Sequence, residues 1–221
     1  MATGTTRRKT RRRAPAPEPG RDSRPSPAWG PGWGRSGPTQ TELSREQLWQ
    51  SLIQQGWRAE IIGGRIIVSP WTKRRHADLV DQLIDQLSDV KRENGWKFYQ
   101  TWAVHIPPHR GDKRLPDLLV APPGSPEFDE NQAYGHGTLL AVEITSQDSR
   151  TDDLQVKPAE YARAGVPIML IVDDFSDPRS VTLLSDPREG EYRSMTKVDE
   201  GEQVKLPEPF GVELDTGLIF R

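Results

Sequence analysis

Apolar and polar residues follow two different spacings along residues 41–221, and together they predict a mixed set of strands and helices. The runs Leu118–Ala121, Leu139–Ile144 and Ile168–Val172 are short and continuously apolar, which is typical of strands buried on both faces. Residues 72–93 instead place an apolar side chain every three or four positions, which predicts a long amphipathic helix. The chain therefore favours an α/β (α+β) fold in which a mixed sheet is flanked by helices.

Shorter patterns predict the elements on the N-terminal side. Ser44, with Gln47 three residues later, is typical of a helix N-terminus. Two β-rich runs flank Gly63-Gly64, which predicts a tight hairpin. Residues 96–106 predict one strand, and residues 107–117 predict a basic loop leading to an acid.

A further helix is predicted to begin near Lys157. Pro158 is tolerated in the first turn of a helix but costs about 3 kcal/mol in its interior, so the helix should start at this point. Gly165 is the expected stop, because glycine readily adopts the left-handed conformation that ends many helices.

Charge divides the chain into two parts. The first forty residues hold nine of the 30 basic and two of the 32 acidic residues, a net charge of +7, so the remainder carries −9. That segment is rich in Arg, Pro, Gly and Ser, a composition that favours disorder. We expect a disordered basic tail over residues 1–40, which either solubilises the protein or contacts nucleic acid, and one domain over residues 41–221.

Composition excludes several classes of function. The chain has no cysteine, which rules out disulfides, thiolate metal sites and cysteine nucleophiles. No apolar run approaches the roughly 18 residues of a membrane span, and no apolar segment follows the early arginines as an export signal requires. We expect a cytoplasmic protein without a membrane partner.

Two acids and a lysine are the candidate chemistry. Asp117 opens the first apolar run, Glu143 lies near the end of the second, and Lys157 follows on the predicted helix. Carboxylates on a sheet can hold Mg²⁺ while an ammonium orients the attacking water, a combination that suits phosphodiester hydrolysis. The alternative is an ion-pair network at the surface.

Five stretches give the chain a family resemblance over about residues 42–220. In order, they read AEIIGGRIIVSP, LPDLLVAPPGSPEF, LAVEITS, DLQVKPAEYARAGVP and LPEPFGVELD. With this order and spacing the chain resembles the Uma-type restriction endonuclease family, part of the PD-(D/E)XK nuclease superfamily. The resemblance implies a restriction-endonuclease-like core.

The resemblance also implies roles for the three candidates. Asp117 matches the acid of the PD pair and Glu143 the acid of the second strand, so both are implied metal ligands. The position two residues after that acid holds Thr145 rather than lysine, and the lysine comes from the following helix as Lys157. These three residues are the expected catalytic set.

Three further residues match supporting positions of the family. Glu60 matches the acid of the first hairpin and is expected to extend the catalytic set, although alone it could be a solvated strand residue. His76 matches the histidine of the long helix, although a lone histidine is more often structural. Asp153 matches an acid of the segment before Lys157.

These matches imply a metal-dependent endonuclease that cleaves nucleic acid, most naturally DNA. The expected cofactor is Mg²⁺ or Mn²⁺, and the expected assembly is a homodimer. Arg110, Lys113 and Arg114 are candidate contacts to the substrate backbone. The alternative is a catalytically inactive nuclease-like module that binds nucleic acid or regulates another protein.

Overall fold

The computed structural model describes residues 39–70 and 72–221 and contains two six-stranded mixed sheets flanked by helices. The predicted tail over residues 1–40 lies outside the described residues except for its last two. The mixed α/β architecture confirms the predicted fold class.

The first sheet has the strand order β2-β1-β5-β4-β8-β7. Its strands are β1 (Arg58–Ile62), β2 (Arg65–Ser69), β4 (Ala103–His105), β5 (Lys113–Arg114), β7 (Glu127–Asp129) and β8 (Gln132–Tyr134). Strands β4 and β8 are parallel and the other pairs are antiparallel. The β1–β2 turn is the predicted Gly63-Gly64 hairpin, with positive φ at both glycines.

The second sheet has the strand order β12-β11-β10-β9-β6-β3. Its strands are β3 (Lys97–Tyr99), β6 (Leu118–Ala121), β9 (Leu140–Ile144), β10 (Ile168–Asp173), β11 (Ser180–Arg188) and β12 (Glu191–Asp199). Only β9 and β10 pair in parallel. The C-terminal strands β13 (Gln203–Lys205) and β14 (Glu213–Asp215) form a separate two-stranded sheet.

The helices are α1 (Gln40–Gln54), α2 (Arg74–Gln86), α3 (Ser88–Asn94), α4 (Lys157–Ala164) and α5 (Thr216–Ile219). Helix α1 packs on β1 of the first sheet through Trp49, whereas α2 and α4 cover opposite faces of the second sheet. On one face Leu79, Val80 and Leu83 of α2 pack on the central strands, and on the other Tyr161 of α4 packs on Met169. Burial on both faces explains why β6, β9 and β10 are continuously apolar.

The helix ends follow local chemistry. Thr39 caps α1, because its hydroxyl accepts a hydrogen bond from Glu42 N while the Glu42 carboxylate binds Thr39 N. Pro158 lies in the first turn of α4, and Gly165 ends that helix with φ +80°, as predicted. A π-helical turn, Asp152–Val156, leads directly into α4.

Four local predictions were wrong. The first helix begins at Gln40, because the capping box is Thr39 with Glu42 rather than Ser44 with Gln47. The helix predicted over 72–93 is two helices that meet at Leu87. The strand predicted over 96–106 is divided between the two sheets. The basic loop ends early, since Lys113–Arg114 form a strand.

No helix within residues 39–70 and 72–221 combines the length and the apolar character that a membrane span needs.

Candidate active site

Asp117 is fixed on the neighbouring strand by backbone hydrogen bonds. Its N–H donates to Val142 O at 3.0 Å, and its carboxylate Oδ2 accepts from Ile144 N at 2.8 Å. The register that pairs Leu118 with Val142 therefore brings Asp117 level with Glu143 on the adjacent strand. The sheet thus places the two predicted metal ligands side by side.

Two basic side chains reach the Asp117 carboxylate from the outside. Arg58 Nη2 donates to Oδ1 at 2.9 Å, and His76 Nε2 lies 3.1 Å from Oδ2. Burial raises the pKa of Asp117, but the hydrogen bond and charge of His76 and the charge of Arg58 outweigh it. The pKa therefore stays below its ordinary value, and Asp117 is ionised at neutral pH.

Glu143 is enclosed by the helix that follows it. Lys157 Nζ donates to Glu143 Oε2 at 2.7 Å, and the Tyr161 hydroxyl donates to Oε1 at 2.6 Å. Lys157 and Tyr161 lie one turn apart in α4, so one face of the helix holds both oxygens. Burial raises the pKa of Glu143 to about 8, and Lys157 offsets only part of that rise.

Lys157 joins a second carboxylate to this group. Its Nζ lies 2.7 Å from Asp153 Oδ1, and the other oxygen of Asp153 accepts from Ser149 Oγ at 2.6 Å. Burial lowers the pKa of Lys157, but the carboxylates of Glu143, Glu60 and Asp153 outweigh it, so the pKa lies above its ordinary value. Lys157 remains charged in the interior.

Glu60 is committed to the protein frame. Its Oε1 accepts from Leu115 N and its Oε2 from Arg114 Nη1, both at 2.8 Å. It is buried, so it is not the solvated strand residue that its sequence context also allowed. These contacts hold β1 against the loop before Asp117, and a place for Glu60 in the catalytic set stays a prediction.

The predicted substrate contacts fare differently from one another. Arg114 is buried and joins Glu60, Glu160 and Asp152, with contacts of 2.6 to 3.3 Å. Lys113 is also buried, because its ammonium binds Glu46 and lies over the ring of Trp49. Neither side chain is free to meet nucleic acid, and of the three only Arg110 is exposed.

Sequence reasoning missed two residues that touch the candidate ligands. Tyr161 lies four positions after Lys157 on a helix, and that spacing could have identified it as a partner of the same carboxylate. Arg58 had no signal, because its contact with Asp117 joins positions 59 residues apart. Only the three-dimensional pairing of the sheets reveals it.

Carboxylates outnumber cations in the three ion-pair groups around the candidate site, which suits a bound cation. Six carboxylates meet three full cations, Arg58, Arg114 and Lys157, with His76 beside them. The carboxylates are Glu60, Asp117, Glu143, Asp152, Asp153 and Glu160. Within the described residues, no three Asp, Glu or His side chains are grouped to hold a metal by themselves. Two carboxylates nevertheless fit Mg²⁺, which keeps several waters and takes its other ligands from phosphate.

Comparisons with known proteins identify the family and the fold. A family model described as "Uma2: Putative restriction endonuclease" matches residues 45–217. A crystal structure described as "a putative nuclease belonging to DUF820", from Anabaena variabilis, superposes with a TM-score of 0.56 at 16% identity. The superposition covers 73% of this chain and 89% of that one and shows a shared fold. Comparison with curated proteins gives no match.

Proposed function

This chain belongs to the Uma2 family of restriction-endonuclease-like proteins, and we propose that it is a metal-dependent endonuclease that hydrolyses phosphodiester bonds of DNA. One observation carries the proposal. Two carboxylates on adjacent strands, Asp117 and Glu143, stand level with each other, and the Lys157 ammonium lies 2.7 Å from the second. This is the acid, acid and lysine set that the chemistry requires.

The protein's own groups divide the work among them. Asp117 and Glu143 would hold Mg²⁺ or Mn²⁺, whose chemistry there is to polarise the phosphoryl group and acidify a bound water. Lys157, which stays charged, donates hydrogen bonds and can orient the attacking water. Tyr161 and Asp153 keep Glu143 and Lys157 in place, since each contacts one of them directly.

A cleavage assay tests the proposal. Supercoiled plasmid and single-stranded DNA are incubated with the wild type in Mg²⁺, in Mn²⁺ and in EDTA. We expect metal-dependent cleavage that falls by orders of magnitude in Asp117→Asn, Glu143→Gln and Lys157→Met. Asp81→Asn, on the exposed side of α2, is the matched control and should cleave normally. Cleavage in EDTA, or unchanged cleavage in the three variants, would overturn the assignment.

A second candidate is a nuclease-like module that binds nucleic acid without cleaving it. The contacts on Asp117 favour it, since Arg58 and His76 already satisfy the carboxylate. For such a module we expect DNA binding in a gel-shift assay together with no product at any metal concentration. Metal-dependent cleavage by the wild type excludes it.

We also propose that the protein is a homodimer, as cleavage of two strands favours. Within the described residues, β2 and β7 are the edge strands of one large sheet and β12 and β3 those of the other, and a second copy could cover such an edge. Light scattering at tens of micromolar measures the assembly, and a monomer there would contradict the proposal.

A further inference from the structure

Arg58 is held at the edge of the site by three oxygen atoms. Its Nη2 donates to Asp117 Oδ1 at 2.9 Å and to Leu115 O at 3.1 Å, while its Nη1 donates to Gln100 O at 3.3 Å. The Arg58 side chain is 28% exposed, whereas that of Asp117 is 7% exposed. Arg58 therefore lies between the buried Asp117 carboxylate and solvent.

The two oxygens of Asp117 are not equivalent. Oδ2 accepts from Ile144 N in the sheet and faces His76. Oδ1 has Arg58 as its one donor within the described residues. A cation that approaches Asp117 from solvent can gain Oδ1 without breaking the sheet, but it must compete with the Arg58 guanidinium.

We propose that Arg58 is an exchangeable counter-ion: it occupies Asp117 Oδ1 in the metal-free protein, cedes that oxygen to the divalent cation, and then binds the phosphate of the substrate. This inference rests on the proposed function and adds a substrate-binding residue to it. Arg58 thereby couples metal loading to phosphate recognition.

The remaining contacts of Arg58 explain why it stays within reach after the exchange. The carbonyl oxygens of Leu115 and Gln100 still anchor the guanidinium when Asp117 is engaged elsewhere. Arginine carries five N–H donors in a planar fork, so two carbonyl contacts leave donors for a phosphate. Charge-assisted bonds from such a fork to phosphate oxygens are among the stronger hydrogen bonds in proteins.

Competition for one oxygen predicts opposite effects on two ligands. Removal of Arg58 eliminates the competitor for the cation, so metal affinity should rise. The same change removes a phosphate partner, so DNA affinity should fall. A residue that only stabilised the fold would not move the two affinities in opposite directions.

Calorimetric titration with Mn²⁺, without DNA, tests the first effect. Arg58→Met should bind Mn²⁺ about fivefold to tenfold more tightly than the wild type. Arg58→Lys keeps a cation beside Asp117 and should stay close to the wild type. Arg74→Met is the matched control, because Arg74 is an exposed cation in the first turn of α2 that pairs with Asp78 and not with Asp117. Melting curves establish that each variant is folded.

DNA binding in EDTA tests the second effect without turnover. In an Asp117→Asn background the guanidinium no longer faces a carboxylate, so its interaction with phosphate is measured alone. Adding Arg58→Met to that background should weaken binding of a 20-base-pair duplex about tenfold, and adding Arg58→Lys should weaken it less. Adding Arg74→Met should have a smaller effect than Arg58→Met.

The outcomes separate this inference from the proposed function. Equal Mn²⁺ affinity in the wild type and Arg58→Met, with metal bound by both, overturns the exchange and leaves the endonuclease proposal standing. If Arg58→Met binds Mn²⁺ and the wild type does not, the result supports the exchange most strongly. Failure of both proteins to bind Mn²⁺ overturns the two proposals together. Unchanged DNA affinity on adding Arg58→Met overturns the role of Arg58 in phosphate binding.

Discussion

The two candidate metal ligands lie level on neighbouring strands yet occupy opposite kinds of environment. Glu143 is enclosed by Lys157 and Tyr161 of α4, and burial raises its pKa to about 8. Asp117 is held by Arg58 and His76 at a partly exposed edge, and its pKa lies below the ordinary value because these groups outweigh burial. Environment, rather than residue type, sets the charge of each carboxylate.

This difference separates an enclosed half of the site, Glu143 with Lys157 and Tyr161, from an exposed half, Asp117 with Arg58 and His76. In the enclosed half the two side-chain partners of Glu143 come from one helix face, and water has little access to take the place of either. In the exposed half the partners come from β1 and α2, and solvent can replace them. A site that must admit both a cation and a phosphate needs one carboxylate whose partners are fixed and one whose partners can be displaced.

The largest expected loss of stability follows removal of the cation in the enclosed half, and removal of the cation in the exposed half should cost much less. Without Lys157, the buried Glu143 and Asp153 have no counter-charge, so Lys157→Met should lower the free energy of unfolding by roughly 3–5 kcal/mol. Arg58→Met should lower it by about 1 kcal/mol, because Arg58 is partly exposed. Urea unfolding in EDTA measures both.

A double change controls for the origin of that loss. Lys157→Met combined with Glu143→Gln removes one of the two carboxylates left without a counter-charge, and it should recover part of the stability. Equal losses in Lys157→Met and Arg58→Met would show that the two halves do not differ.

The next largest expected effect is a loss of stability at low pH that comes from the buried His105. Burial lowers the pKa of His105 to about 4, and its Nδ1 has no partner among the described residues. The folded protein therefore holds the neutral ring, and its contribution to stability is complete above pH 6.5. As the pH falls from 6.5 to 4 the unfolded chain binds the proton first, so up to about 3 kcal/mol should be lost.

Unfolding of the wild type and His105→Phe at several pH values isolates this contribution. Phenylalanine keeps the stacking of the ring on Phe128, whose centroid lies 4.0 Å away, and it cannot titrate. We expect the stability of the variant relative to the wild type to rise as the pH falls. A difference that stays constant from pH 7.5 to 4 is the contrary result.

The sequence predicted the elements whose pattern is local and missed those whose partners are distant. Strands β6, β9 and β10 were found because burial on both faces makes them continuously apolar. Residues 96–106 read as one strand, since nothing local indicates that Lys97–Tyr99 joins one sheet and Ala103–His105 the other. Arg114 and Lys113 were expected in a loop, because burial of such charges depends on acids supplied by other elements.

The candidate site shows the same division. Asp117, Glu143 and Lys157 were identified from their positions at the ends of two apolar runs and on the following helix, and from the family resemblance, and the structure brings them together. Arg58 could not be predicted, because its contact requires the first hairpin to pack beside β6. The contact that sequence reasoning missed in the exposed half is thus one that depends on tertiary structure.

Loss of one hydrogen-bond donor from each half should show a smaller version of the same contrast. Tyr161→Phe leaves the buried Glu143 Oε1 without its donor and should cost about 1–3 kcal/mol of unfolding free energy. His76→Gln should cost less, since the His76 side chain is 16% exposed and water can take its place. Chemical denaturation ranks the two variants, and a greater loss in His76→Gln would reverse the assignment of the halves.

The smallest effect on stability is expected from the N-terminal segment. Residues 1–38 can be deleted without removing Thr39, the cap of α1, so the melting temperature should not change. Their basic residues offset an acidic remainder of the chain, and DNA binding should therefore depend less on salt after deletion. The log–log slope of affinity against salt should decrease in magnitude by about 0.9 for each phosphate that the protein no longer neutralises.

A full-length variant with Arg11, Arg12 and Arg13 changed to Gln controls for length, and it should show part of the same decrease. If the slope is unchanged in both proteins, the N-terminal segment neutralises no phosphate and phosphate recognition belongs to the rest of the chain.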